Sequence, residues 1–252
     1  MRAIRLFVGA RHAGDWLFLP NMSKFAVMAS VSKTLKFLPA LLLGGFLVSL
    51  AWPRLYASWL YLPVDTAIDK YYTSRENPSA QLDALQQRAE RAISAHEHHR
   101  YHDGLSLLNY LQGIDQDFPL YQRKQALEAS IQSAETALSL APAQPRTWLR
   151  IAQARSRLFY PAADVIEPFE MAVLTGRVEP SMFMTRLALG LAYLRSMNDA
   201  QKNMVRDQLL LAWKMQPHAV KRALKDKELK MEPVETLLAG THSVTLQELR
   251  EV

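Results

Sequence analysis

The chain has no cysteine and only nine glycines among its 252 residues. Without thiols there is no disulfide framework, no thiolate metal centre and no cysteine nucleophile. The glycines do not gather into a phosphate-cradling loop. Gly190 stands alone inside a helical pattern and reads as a point of close helix packing. No carboxylate pair and no Ser/His/Asp arrangement has a mechanistic spacing, so neither a catalytic residue nor a cofactor is expected. No segment alternates convincingly between apolar and polar residues, which leaves essentially no sheet. Acidic residues are scarce at the N-terminus: residues 1–36 hold six basic side chains (Arg2, Arg5, Arg11, Lys24, Lys33, Lys36) against Asp15, a net of +5. The whole chain carries +6, so the remainder is nearly neutral. A nucleic-acid role for the globular part loses its main support.

The next feature is one long apolar run. Residues 37–52 carry no charge and are closed by Pro53 and Arg54. A spanning helix needs about 20 apolar residues; Leu35 extends the run, and Trp52, Tyr56, Trp59 and Tyr61 suit an interfacial aromatic belt. We expect a basic tail over 1–36, a transmembrane anchor over 37–54 and a juxtamembrane connector over 55–78, broken at Pro63. The excess of Lys and Arg before the run places the N-terminus in the cytoplasm and the bulk of the chain outside. For a Gram-negative source that means a single-pass inner-membrane protein with a periplasmic domain. Two alternatives are a cleaved signal peptide, with Ser49 and Ala51 as the small residues before the cut, and a buried core helix. Met22 and Met28 each precede a credible basic region, so residues 1–21 are read as an extension.

Beyond the connector the chain is punctuated at regular intervals. Ala137-Leu-Ser-Leu-Ala-Pro142, Ala172-Val-Leu-Thr-Gly-Arg177 and Ala212-Trp-Lys-Met-Gln-Pro217 each resemble a last helical turn stopped by Pro or Gly. Each follows about two helices' worth of sequence. A period near 34 residues with two helices per period is the signature of a tetratricopeptide-type solenoid. The expected fold is all-α, with about three helical hairpins over 79–217 and polar capping helices over 218–252. Helices are expected from about 80 to 100, over 105–111 between Gly104 and Gly113, and from Pro119 to Leu140. The last should bury Ala126, Leu127, Ile131, Ala134, Ala137 and Leu138. Pro145 opens a helix whose apolar stripe is read as Trp148, Ile151, Ala152, Leu158 and Phe159, with Pro161 as its stop. A further helix covers about 163–175, and a third pair covers 182–197 and 200–215. Lys221, Arg222, Lys225, Lys227 and Lys230 suit a polar end-cap.

Two polar groupings are candidate sites. His96, His98, His99 and His102 fall within Ala95-His-Glu-His-His-Arg-Tyr-His102. On a helix, His98 and His102 would lie one turn apart, a spacing able to hold a divalent metal; the bland alternative is a solvated helix end. Arg146, Arg150, Gln153 and Arg157 recur at i, i+4, i+7 and i+11, one polar stripe on one helix face. Facing a groove, its three guanidiniums would take carboxylates or phosphates of a partner bidentately. Facing solvent, they would be an ordinary polar surface. Arg155 points the other way, with its stem on the core and its head outward.

Arg146-Thr-Trp-Leu-Arg-Ile-Ala152, Met171-Ala-Val-Leu-Thr-Gly176, Glu179-Pro180, Leu189-Gly-Leu191 and Val205-Arg-Asp-Gln208 resemble membrane-anchored tetratricopeptide-like proteins of bacteria, of the kind encoded beside exopolysaccharide or O-antigen biosynthesis. The likeness covers roughly residues 120–217. It implies a non-catalytic scaffold at the inner membrane that binds protein partners through the solenoid groove, with no nucleic acid involved. A second class stays open: a metal-dependent or carbohydrate-processing envelope enzyme using the cluster from His96 to His102.

Overall fold

The computed structural model describes residues 22–74, 76, 78–239 and 243–250, except for the side chains of 22–38 and of Val244. The expectations for residues 1–21, and for the side chains of the basic tail up to residue 36, lie outside these. Among the described residues every regular element is helical and none is a strand. The chain divides into two compact units, residues 1–52 and 53–252.

Helix α1, Met22–Ser74, carries the apolar run. It is long and apolar enough to cross a membrane. Leu41, Leu42, Leu43, Phe46, Leu47, Val48 and Leu50 are all exposed to the surroundings of the chain. A core helix would be mostly buried, so that alternative is excluded. The division between units falls at Pro53, where the missing N–H removes one helical hydrogen bond. The expected break at Pro63 does not occur.

In the second unit, α1 is the first helix of a stack, which a mere connector would not be. Ala57, Tyr61 and Val64 share a core with α2 (Leu82–Ala95) and α3 (His99–Ile114), through Leu82, Leu85, Ala89, Ala92, Leu108 and Leu111. Next come α4 (Leu120–Leu140), α5 (Pro145–Arg157), α6 (Ala162–Thr175), α7 (Phe183–Ala192) and α8 (Asp199–Met215). The chain continues through α9 (Pro217–Lys225), α10 (Met231–Leu238) and α11 (Ser243–Arg250). From α2 to α9 each helix packs on the next, and α3 also touches α5, as α7 touches α9. Short connections make such neighbours antiparallel. One core cluster links α3, α4 and α5; a larger one runs from α5 to α11.

The punctuation marks hold their place. Ala137, Ala172 and Ala212 are fully buried, and each lies three residues before the end of its helix, α4, α6 or α8. The six residues expected on the inner face of α4 are all buried. An Asn198–Gln201 capping box starts α8: each side chain accepts a hydrogen bond of 2.9 Å from the other residue's backbone N–H.

Several expectations differ from the structure, beginning with the helix expected over about 80–100, which ends at Ala95. Gly104 and Gly113 lie inside α3 and do not bracket it. A Cβ on Gly104 would fall 1.8 Å from the Tyr61 hydroxyl, so the bare backbone is what lets α1 approach. Residues 182–197 are not one helix, because α7 ends at Ala192 and a 3-10 turn, Leu194–Ser196, leads to the cap of α8. On α5, Trp148 is half-buried, its indole N–H donating to the Pro142 carbonyl at 2.8 Å, while Leu149 takes the buried position beside Ile151 and Ala152. Phe159 is 91% exposed.

Phe159 leaves the stripe because α5 has already ended. Its φ is 58°, its N–H donates to Ser156 O at 3.2 Å, and the Tyr160 N–H donates to Arg155 O at 3.0 Å. That is a Schellman stop with phenylalanine where glycine is usual. A left-handed side-chain residue costs about 1–2 kcal/mol, and an exposed ring recovers little of it. Phe159→Gly should therefore raise the unfolding free energy by about 1 kcal/mol, whereas Phe159→Ala should leave it nearly unchanged. Denaturant midpoints of the two variants beside the parent check this.

Candidate functional site

The polar stripe of α5 points at α3. Arg150 is buried, and its Nη1 donates to both the Asp103 carboxylate and the Asp103 carbonyl at 2.8 Å. The Thr147 hydroxyl donates to the same carboxylate oxygen at 2.6 Å. Arg150 is therefore neutralised inside the fold and is closed to a partner's carboxylate. Arg146 and Arg157, at the two ends of the stripe, are exposed, and Gln153 is half-buried. The Arg146 Nη2 donates to Ser181 Oγ at 3.1 Å and lies 3.4 Å from Glu179 Oε1, with the guanidinium over the Tyr72 ring at 4.7 Å. Arg157 Nε donates to the Tyr110 hydroxyl at 3.3 Å.

Arg146 opens onto a cleft of about 510 Å³ between α1, α3 and α5. Asp65, Asp69 and Tyr72 line it from α1, Arg100 and Asp103 from α3. Asp65 and Arg100 are paired. Burial would raise the Asp103 pKa, but the Arg150 charge and hydrogen bonds from Thr147 and Arg150 outweigh it and hold the carboxyl below its ordinary value. Burial likewise opposes the charge on Arg150; the Asp103 carboxylate and the Tyr72 phenol overcome it and raise the pKa. The cleft thus has a paired charge at its floor and exposed charges at its rim.

Sequence reasoning missed Asp103, the partner of Arg150, and Thr147, which donates to the same carboxylate. They sit 47 and three residues away from Arg150, and no local pattern marks the first. It also missed Arg186, which is fully buried. Arg186 Nη1 donates to Gly176 O at 2.8 Å and to Gln208 Oε1 at 3.1 Å, and Nη2 donates to Ala172 O. It closes the carbonyl end of α6, where a cation is favoured. Burial pushes its pKa down to about 10, with Glu179 opposing. A lone arginine within Phe183-Met-Thr-Arg-Leu-Ala-Leu189 was the available signal. Arg155 behaves as expected, bonding Glu135 at 2.9 Å with its head partly exposed.

The histidines do not share one helix. Residues 96–98 are extended between α2 and α3, and His98 is the N-cap of α3. Its Nδ1 accepts from the Arg100 N–H at 3.2 Å, and its ring stacks on His99 at 4.4 Å. His102 turns toward Glu97 instead, Nε2 to Oε1 3.6 Å. Among the described residues no group of three or more His, Asp or Glu side chains could hold a metal ion.

Removing the Asp103 carboxylate should strand a buried guanidinium. Asp103→Ala is expected to lower stability by about 3 kcal/mol, while Asp103→Leu with Arg150→Met should recover most of that loss. Chemical denaturation of the single and double variants measures both.

Acid should also weaken the fold. Burial, then His99 and His96, lowers the His98 pKa below 6.5; burial lowers that of His102, against Glu97. The unfolded chain therefore takes up protons first as pH falls. Stability present above about pH 6.5 declines as the pH drops below it and through the folded pKa values. His98→Asn, which keeps an acceptor at the N-cap, should make this decline shallower in denaturation midpoints taken on both sides of that range.

Comparison of the chain with protein-family models, with curated proteins and with solved structures finds no match.

Proposed function

We propose that the protein is a non-catalytic, membrane-anchored adaptor whose helical layer is a tetratricopeptide-like solenoid and whose α5 stripe, from Arg146 to Arg157, binds a segment of a partner protein. Support for the repeat comes from position. The tetratricopeptide pattern places Leu-Gly, then Tyr three residues on, in the first helix, with a small residue and Phe four apart in the second. Leu189, Gly190 and Tyr193 match the first part; in the preceding hairpin Phe169 holds the aromatic place of the second part, with Val165 where the small residue stands. A Cβ on Gly190 would lie 2.9 Å from Val205 and 3.2 Å from Phe169, the close crossing that such a glycine serves. The buried alanines near the ends of α4, α6 and α8, with prolines opening α5 and α9, fit the same period.

One observation carries the binding role: α5 is pinned to α3 by the buried Asp103–Arg150–Thr147 cluster, which holds Arg146 and Arg157 exposed on a fixed rail. Eleven residues of helix set them about 16 Å apart along its axis, which an extended segment covers in about five residues. The partner segment therefore carries acidic groups near its two ends. The ion pair of Arg146 with Glu179 is exposed and weak enough to exchange.

The apolar part of α1 is the anchor. The basic residues before it favour a cytoplasmic N-terminus with the helical layer in the periplasm, at a bacterial inner membrane. The family resemblance supports a place in cell-surface polysaccharide assembly or export.

A photo-crosslinking residue at Gln153, in native membranes, should capture a partner. Arg146→Glu with Arg157→Glu should abolish the adduct while leaving helicity and melting temperature nearly intact, since exposed substitutions usually change stability by under about 0.5 kcal/mol. Arg195→Glu, which alters another exposed cation, should leave it unchanged. Capture should also weaken with salt. An adduct indifferent to both the double reversal and salt overturns the assignment of this stripe.

A further inference from the structure

Trp52 closes the apolar run, and Arg54 follows two residues later. From there α1 has two unlike faces. Ala57, Tyr61 and Val64 are buried against α2 and α3. Leu55, Tyr56, Trp59 and Leu62 are 45–68% exposed. Their spacing, i, i+1, i+4 and i+7, makes one continuous stripe. A contiguous apolar stripe on a surface marks an interaction site. Tryptophan and tyrosine directly after a spanning segment suit the level of lipid headgroups.

Beside the stripe lies a cavity of about 610 Å³. Arg54, Ser58 and Asp65 line it from α1; His96, His98 and Arg100 line it from the turn between α2 and α3 and from α3 itself. Asp65 is balanced by Arg100. Arg54 has no ion-pair or hydrogen-bond partner among the described residues and is exposed. The cavity thus combines one uncompensated guanidinium, the Asp65–Arg100 pair, two imidazoles and the hydroxyls of Ser58, Tyr61 and Tyr101.

We propose that this cavity binds the phosphodiester headgroup of an anionic phospholipid, with the stripe of Leu55, Tyr56, Trp59 and Leu62 lying beside it in the interfacial layer of the membrane. The proposal rests on the reading of α1 as a membrane anchor. Arg54 stands about 3 Å along the helix axis from the last residue of the apolar run, at the depth of a headgroup. A soluble phosphate would use the cations but not the stripe. A second copy of the chain seated on the same face would bring two uncompensated Arg54 side chains together, because a two-fold contact repeats the same patch on both sides.

The full-length chain, reconstituted in nanodiscs of phosphatidylcholine with a minority of phosphatidylglycerol, provides the test. Native mass spectrometry of the extracted protein reads the ratio of the two lipids retained. The parent should be enriched in phosphatidylglycerol. Arg54→Gln should reduce the enrichment about fivefold, Arg54→Lys should restore most of it, and Arg195→Gln should not alter it. Circular dichroism confirms that each variant is folded. Excess inorganic phosphate should displace none of the retained lipid; displacement would assign the cavity to a soluble anion and overturn the proposal. A parent with no enrichment, or enrichment indifferent to Arg54→Gln, also overturns it while leaving the anchor standing. Release of the chain from membranes by alkaline extraction overturns the anchor and the lipid site together.

Discussion

The ion pair between Asp103 and Arg150 determines how the helical layer presents its cleft. It joins two helices that are not neighbours in sequence, α3 and α5, across the helix between them. The arginine end is buried and the carboxylate is partly open to water. Such a pair adds little net stability over an apolar equivalent, yet it punishes any arrangement that separates its members. Its value is therefore positional. It fixes the rotation of α5, and with it which side chains of that helix reach water. Thr147, one turn before Arg150, shares the same carboxylate oxygen and removes the remaining freedom.

A second buried arginine works differently. Arg186 has no carboxylate in contact; the peptide carbonyls at the end of α6 and the amide of Gln208 surround it. Gln208 in turn donates to the Arg177 carbonyl at 3.0 Å. Three successive helices are thereby tied by a charge spread over backbone dipoles. Exposed pairs such as Arg195 with Glu232 contribute far less, since water screens them. The polar residues that shape this fold are the few that lie inside it.

Much of the helical layer was legible in the sequence because its cause is local. Spacing of apolar residues gave the inner face of α4 except for the buried Ser130, and Pro or Gly after a small buried residue marked the ends of α4, α6 and α8. What failed had non-local causes. Arg150 looked like one member of a solvated stripe, because nothing near it announced a carboxylate 47 residues earlier. Residues 55–64 read as a connector, since aromatic residues beside a membrane segment and aromatic residues in a core have the same composition. Only packing distinguishes Tyr61, which is buried, from Trp59, which is not. Phe159 seemed to continue an apolar stripe; a left-handed turn removed it from the helix, and hydrophobicity carries no record of φ. The histidines were placed on a helix by spacing alone, whereas the chain between α2 and α3 is extended there. Of the candidate site, the exposed ends of the stripe were readable and its buried centre was not.

Gly104 has a consequence that reaches the cleft. The Tyr61 ring of α1 rests where a side chain on α3 would begin, and its hydroxyl donates to the Arg100 carbonyl at 3.0 Å. The separation of α1 from α3 is therefore set by an absent methyl group. Asp65, Asp69 and Tyr72 ride on the same helix, one to three turns further along, and face Arg100, Asp103 and Arg146 across the cleft. The gauge of the cleft is encoded at a residue that has no side chain and does not line it.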